Sequence, residues 1–203
     1  MKALYVTDRA AVGDERFREV LLGLAGAPEL TVQLREREAT DRQCLEWARV
    51  ARRSLGEGVP LLVNRRFDVA LAAGAEGVHL PADGLPSGAV RAQTPRGFRI
   101  GVSTHSAEEA AAAIADRADV VVLGPIFDTP EKRRFGPPLG VEALAGLPLR
   151  ASHASDVFAI GGIDEAALEL LEPFRDRISG VAGIRLFQEA ANPREVVKKI
   201  SAR

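Results

Sequence analysis

Hydrophobic positions along the chain gather into eight short runs rich in β-formers: Ala3–Thr7, Leu30–Arg35, Pro60–Asn64, Gly77–Leu80, Arg99–Ser103, Val120–Gly124, Val157–Gly161 and Gly180–Arg185. Turn formers or charges bound nearly all of them, as expected of buried strands. Between the runs the period changes. Phe17, Val20, Leu21 and Leu24 make an apolar stripe at helical spacing, and Cys44, Ala48, Ala51 and Leu55 recur at four, three and four. Thr40 with Gln43, and Ser106 with Glu109, predict capping boxes that satisfy the free amides of a first turn, while Asp164 predicts a cap ahead of Ala166, Leu168 and Leu171. Strands alternating with helices predict a parallel sheet. Eight units of about 25 residues each predict a closed (β/α)8 barrel, with residues 1–203 as a single domain. An open doubly wound sheet would carry GxGxxG after its first strand, where Thr7-Asp8-Arg9-Ala10 stands instead.

Composition narrows the partners. Lysine plus arginine (27) against aspartate plus glutamate (28) leaves a formal charge of −1, so no global field points to nucleic acid, and any anion site is local. Val120–Leu123 is far too short to span a bilayer. The first residues lack the apolar stretch and cleavage site of a signal peptide. One cysteine, Cys44, excludes an internal disulfide and a CxxC pair. A cytoplasmic protein with no membrane or nucleic-acid partner is expected, and a homo-oligomer is left open.

In a barrel of this kind, chemistry sits where strands end at their C-terminal side. The second strand run ends Gln33-Leu34-Arg35-Glu36-Arg37, and alternation places Gln33, Arg35 and Arg37 on one side. Two guanidiniums there require an anionic ligand or an ion-pair network with Asp8 or Asp83. Asn64 and Ser103 end the third and fifth runs as hydrogen-bonding groups. His79, between two apolar neighbours, reads as a hydrogen-bonded core histidine. His105, at a strand-to-helix turn, reads equally as a backbone-bonded loop residue or an acid/base. His153 reads as a surface residue, and the three histidines lack the spacing of a zinc site. After the sixth run, the stretch 124–140 holds Thr129 and the cations Lys132, Arg133 and Arg134 between Gly/Pro hinges, a pattern that suits a flap over a phosphate. Gly161-Gly162 after the seventh run, with Arg185 after the eighth, falls where barrels recurrently bind phosphate on backbone amides.

Taken in order, Tyr5-Val6-Thr7-Asp8, Val32-Gln33-Leu34-Arg35-Glu36-Arg37, Leu62-Val63-Asn64, Gly77-Val78-His79-Leu80, Gly101-Val102-Ser103-Thr104-His105-Ser106, Gly124-Pro125-Ile126-Phe127, Pro138-Leu139-Gly140 and Ala159-Ile160-Gly161-Gly162-Ile163 resemble the thiamine phosphate synthase and TenI superfamily over nearly the whole chain. The resemblance implies a small phosphorylated thiazole or pyrimidine ligand. Synthases of this family join an aminopyrimidine pyrophosphate to a thiazole phosphate with magnesium on the departing pyrophosphate. Gln33, Arg35, Asn64, Ser103, Thr129 and Lys132 match their pattern. Their magnesium carboxylates are replaced here by Arg65 and Gly84, with Asp83 one position away, and Glu131 stands where a second threonine is usual. Arg-Glu-Arg, Asn followed by a non-acidic residue, and Leu80-Pro81 are similar to the TenI branch, which tautomerises a thiazole phosphate carboxylate without metal. The histidine such enzymes place after the sixth-strand glycine is Pro125 here, and His105 is the nearest replacement. The expectation is a thiazole tautomerase without cofactor. The alternatives are a synthase, for which magnesium would be needed, and a non-catalytic binder of thiamine precursors.

Overall fold

The computed structural model describes every residue except 130–132 and 134–135. Eight parallel strands close on themselves in sequence order: β1 (Lys2–Val6), β2 (Leu30–Leu34), β3 (Leu61–Asn64), β4 (Gly77–Leu80), β5 (Arg99–Thr104), β6 (Val120–Leu123), β7 (Asp156–Ile160) and β8 (Gly180–Gly183). The expected (β/α)8 barrel is therefore the architecture. β8 pairs with β1 through Lys2↔Gly180 and Tyr5↔Gly183, which leaves the sheet without an edge. Contact at this seam is close enough that a Cβ on Gly180 would lie 1.8 Å from the Lys2 carbonyl oxygen.

Helices α1 (Arg9–Gly23), α2 (Asp41–Leu55), α3 (Phe67–Ala73), α4 (Ser87–Arg91), α5 (Ala107–Ala115), α6 (Glu165–Leu171), α7 (Arg185–Gln188) and α8 (Pro193–Ser201) follow the strands, with 3₁₀ turns in place of a helix between β6 and β7. The helical stripes behave as their spacing requires. Phe17, Val20 and Leu21 of α1, and Cys44, Ala48, Ala51 and Leu55 of α2, are buried against the outer face of the sheet. Thr40 and Gln43 form a reciprocal capping box, and Asp164 accepts from Ala167 N–H at 2.8 Å. At α5 the expected box is only half made. Ser106 accepts from Glu109 N–H, but the Glu109 carboxylate reaches one residue further back, to His105 N–H at 2.7 Å.

Alternation divides each strand between two cores. The outer set, including Ala3, Tyr5, Val32, Leu34, Val63 and Val78, packs under the helices. The inner set, Leu4, Val6, Leu62, Val120, Val122, Phe158 and Ala182, fills the barrel. Two expected strand ends differ. β2 stops at Leu34 and β8 at Gly183, so Arg35 lies beyond its strand and Arg185 opens the one-turn α7.

Candidate active site

Inward-facing positions near the C-terminal ends of β2 to β5 carry polar side chains above a barrel middle packed with Leu4, Leu62, Val120 and Phe158. Gln33, 4% exposed, donates through Nε2 to Asn64 Oδ1 at 3.2 Å. His79, 1% exposed, bonds through Nε2 to Ser103 Oγ at 2.9 Å. Four consecutive strands thus present a continuous polar wall, and β6 to β8 face it with Val122, Phe158, Ile160 and Ala182. His79 Nδ1 is buried without a hydrogen-bond partner among the described residues. Burial pulls its pKa down to about 4, so the imidazole is neutral at physiological pH and works by hydrogen bonding.

Above this wall, Thr7 organises the end of β2. Its hydroxyl donates to Glu36 Oε1 at 2.7 Å and accepts from Arg35 N–H at 2.9 Å. The Glu36 side chain is only 3% exposed and also accepts from Arg9 N–H at 3.3 Å, with the Arg9 guanidinium 3.6 Å away. Burial raises its pKa despite these donors. The alternation expected to align Gln33, Arg35 and Arg37 ends with the strand. Gln33 faces inward, Arg35 is half-buried and fixed by its backbone bond to Thr7, and Arg37 sits exposed in the following turn. Asp83, one suggested ion-pair partner for these arginines, instead takes Arg65 at 3.1 Å, and Asp8 caps α1.

The segment after β6 is anchored at its base by backbone bonds. Ile126 N–H and Phe127 N–H donate to the Ile160 and Gly161 carbonyls at 2.8 and 3.1 Å, while Leu139 and Gly140 return to Pro125 and Ile126 at 2.9 and 3.0 Å. This close approach explains the glycine pair. A Cβ on Gly161 would lie 2.7 Å from Pro125 Cβ, one on Gly162 would lie 2.6 Å from Phe127 Cβ, and both residues have positive φ (100° and 66°). Thr129 Oγ1 is buried with no partner among the described residues. Of the three expected cations, Arg133 folds back on Asp128 (2.5 to 3.1 Å), and Lys132 and Arg134 lie outside the described residues.

His105 is exposed at the junction of β5 and β6, with Nδ1 2.8 Å from the Gly124 carbonyl oxygen. A carbonyl only accepts, so Nδ1 carries the proton and Nε2 is the basic atom of the neutral ring. His153 departs from its expected surface position. It is half-buried, and both ring nitrogens are covered without partners among the described residues. Arg185 is exposed at the start of α7.

The residues present do not fit a magnesium site. Arg65 and Gly84 occupy the ends of β3 and the β4 loop, the adjacent Asp83 is already engaged by the Arg65 guanidinium, and no group of three or more His, Cys, Asp or Glu converges among the described residues. Glu36 and Thr7, which organise the end of β2, were not among the expected site residues. The available signal was a threonine and a glutamate at the ends of adjacent strands, but their contact is made only when β1 and β2 pair.

The family profile described as thiamine monophosphate synthase (TMP-TENI) matches residues 3–187. The chain is 39% identical over 198 residues to a putative thiamine-phosphate synthase of Geobacter sulfurreducens, covering 97% of this chain and 91% of that protein. It is 42% identical over 166 residues to a thiamine-phosphate synthase of Methanoculleus marisnigri, covering 80% and 77%. A solved thiamine phosphate pyrophosphorylase from Pyrococcus furiosus superposes with a TM-score of 0.77 at 29% identity, covering 99% of this chain and 94% of that one. Among the described residues, no helix is long and apolar enough to cross a membrane.

Proposed function

The chain belongs to the thiamine monophosphate synthase (TMP-TENI) family, and from that premise we propose that it is a transferase that joins an aminopyrimidine pyrophosphate to a thiazole phosphate. The observation that carries this reading is the inward polar wall of Gln33, Asn64, His79 and Ser103, set in a fold whose curated relatives bear synthase names. In the coupling, the carbon–oxygen bond to pyrophosphate breaks and its electron pair departs with the leaving group, while the lone pair of the thiazole ring nitrogen forms the new carbon–nitrogen bond to that carbon. The amides and hydroxyl of the wall orient the pyrimidine ring by hydrogen bonds. Neutral His79 holds Ser103 in place without adding charge beside a developing cation. Arg35, fixed through Thr7, and Arg37 take the anionic ligand from the β2 side. Thr129, Lys132, the glycine turn at Gly161-Gly162 and Arg185 take phosphate groups from the β6 to β8 side.

Calorimetry with the phosphorylated and unphosphorylated thiazoles, followed by a coupling assay with the pyrimidine pyrophosphate, tests the reading. Tighter binding of the phosphorylated thiazole and formation of the coupled product support it. Equal affinity for the two thiazoles, or binding without product, overturns it.

A second reading, isomerisation of a thiazole phosphate carboxylate, is favoured by His105, whose Nδ1 bond to Gly124 leaves Nε2 as a base at the barrel mouth. Under this reading His105→Gln abolishes turnover of the isolated thiazole carboxylate phosphate. Under the transferase reading that compound is bound but unchanged. The names of the relatives favour the transferase.

A further inference from the structure

The position that fails to hold a metal ligand is built with some care. Asn64 ends β3, and the chain then turns sharply: Arg65 N–H donates to the His79 carbonyl and Arg66 N–H to the Asn64 carbonyl, both at 2.8 Å. A bond from Arg66 back to Asn64 closes a three-residue turn centred on Arg65, whose φ is 63°. That is the rare, strained hand of the γ-turn, held here by the backbone bonds on either side of Arg65. The neighbouring Arg66 points elsewhere, held by Asp68 at 2.6 and 2.8 Å and by Asp41. Arg65 instead crosses to the β4 loop and meets Asp83 at 3.1 Å, with the two side chains 57% and 80% exposed. An ion pair that open to water is weak and exchanges readily for a more highly charged oxyanion.

We propose that Arg65 supplies at the barrel mouth the positive charge that a divalent cation would otherwise bring, exchanging Asp83 for a pyrophosphate group, so that pyrophosphate binding by this chain is independent of metal. The proposal rests on the transferase reading for the identity of the ligand, but it concerns binding and is tested without turnover. A planar guanidinium offers paired N–H donors to two phosphate oxygens, and unlike a metal ion it needs no carboxylate cage, which matches the Gly84 position. Asp83 then holds the guanidinium near the mouth between ligands.

Titration calorimetry with inorganic pyrophosphate, in EDTA and in excess magnesium, tests the proposal. Wild-type protein binds in EDTA, with affinity within about threefold of that in magnesium. Arg65→Gly weakens binding in EDTA by at least about tenfold while its melting temperature stays level or rises, because glycine adopts the positive φ without strain. Arg65→Lys retains most of the affinity, and Asp83→Asn strengthens binding about twofold by releasing the guanidinium. Binding that requires magnesium, or an Arg65→Gly protein that binds within twofold of wild type, overturns the proposal. Pyrophosphate binding in EDTA without coupled product would overturn the transferase reading and leave this one intact. Pyrophosphate binding that requires magnesium, together with coupled product, would do the reverse.

Discussion

At the N-terminal end of the barrel Asp156 accepts from Lys2 at 2.8 Å and lies 3.2 Å from Arg99, whereas at the C-terminal end the side chains of Gln33, Asn64, His79 and Ser103 bond one another in two pairs, at 3.2 and 2.9 Å. Both clusters occupy inward positions of strands whose middles are packed with Leu4, Leu62, Val120 and Phe158. Both therefore lie where an unpartnered polar group is costly. The lower cluster answers with one carboxylate shared by two cations, so that both Asp156 oxygens are taken up by protein donors. The upper cluster is made of neutral groups with hydrogen-bonding capacity left over, including the bare Nδ1 of His79. Polarity inside a barrel is therefore not by itself a mark of function. The distinguishing feature is whether the groups satisfy one another.

The sharpest way to test this contrast is pH. An unfolded histidine takes up its proton near pH 6.5, while His79 in the folded chain does so only near 4, so the stability it contributes is complete above pH 6.5 and is lost as the pH falls through the folded value. The loss by pH 4 is on the order of 3 kcal/mol. Denaturant unfolding between pH 7 and 4 measures it, and His79→Gln flattens the slope in that window. A variant that loses stability as steeply as wild type would remove His79 from the argument.

Asp156→Ala breaks the lower cluster and leaves Lys2 and Arg99 without their carboxylate. Because the Lys2 side chain is 38% exposed, the expected destabilisation is about 2 kcal/mol, below the ~3–5 kcal/mol of a fully buried pair. Chemical denaturation reads the loss. Thiazole phosphate affinity in the folded fraction stays unchanged if this end is purely structural. Arg35→Ala reverses the pattern, weakening the same ligand by about 1.5–2 kcal/mol with a small change in melting temperature. A sharp drop in melting temperature with affinity preserved would make Arg35 a structural residue like Arg99. Smallest is Glu36→Gln. Burial raises the folded Glu36 pKa, so the carboxylate destabilises the fold as pH rises through that value. The neutral amide keeps the Thr7 bond and makes the protein equally or slightly more stable at pH 8, by less than about 1 kcal/mol.

Much of this architecture was legible in the chain itself. Short runs of β-formers against apolar stripes at period three to four separate strand from helix here, and the eight expected runs coincide with the eight strands to within a residue or two at their ends. Capping residues could be read because a first turn leaves its amides free whatever the tertiary context. Ser106 shows where that locality fails, since the Glu109 carboxylate found a competing amide at His105. Strand ends were the weak point. Extending β2 through Arg35 placed Arg35 and Arg37 on one face, but the strand stops at Leu34, where Thr7 captures the next backbone amide.

Gln33, Asn64 and Ser103 were recognisable as site candidates because each is a polar residue at an inward strand position near the C-terminal end of the barrel. The partners of charged residues were not recognisable. Asp83 with Arg65, Asp128 with Arg133, and Glu36 with Thr7 and Arg9 depend on loops brought together by closure of the barrel. The order of hydrophobic and polar residues alone determined the barrel and the strand ends at which polar residues gather, because burial acts through the local sequence pattern. Only the tertiary structure decided that Lys2 and Arg99 share the Asp156 carboxylate, that Gly161 and Gly162 admit the backbone after β6, and that Arg65 meets the exposed carboxylate of Asp83, because those are distances between segments far apart in the chain.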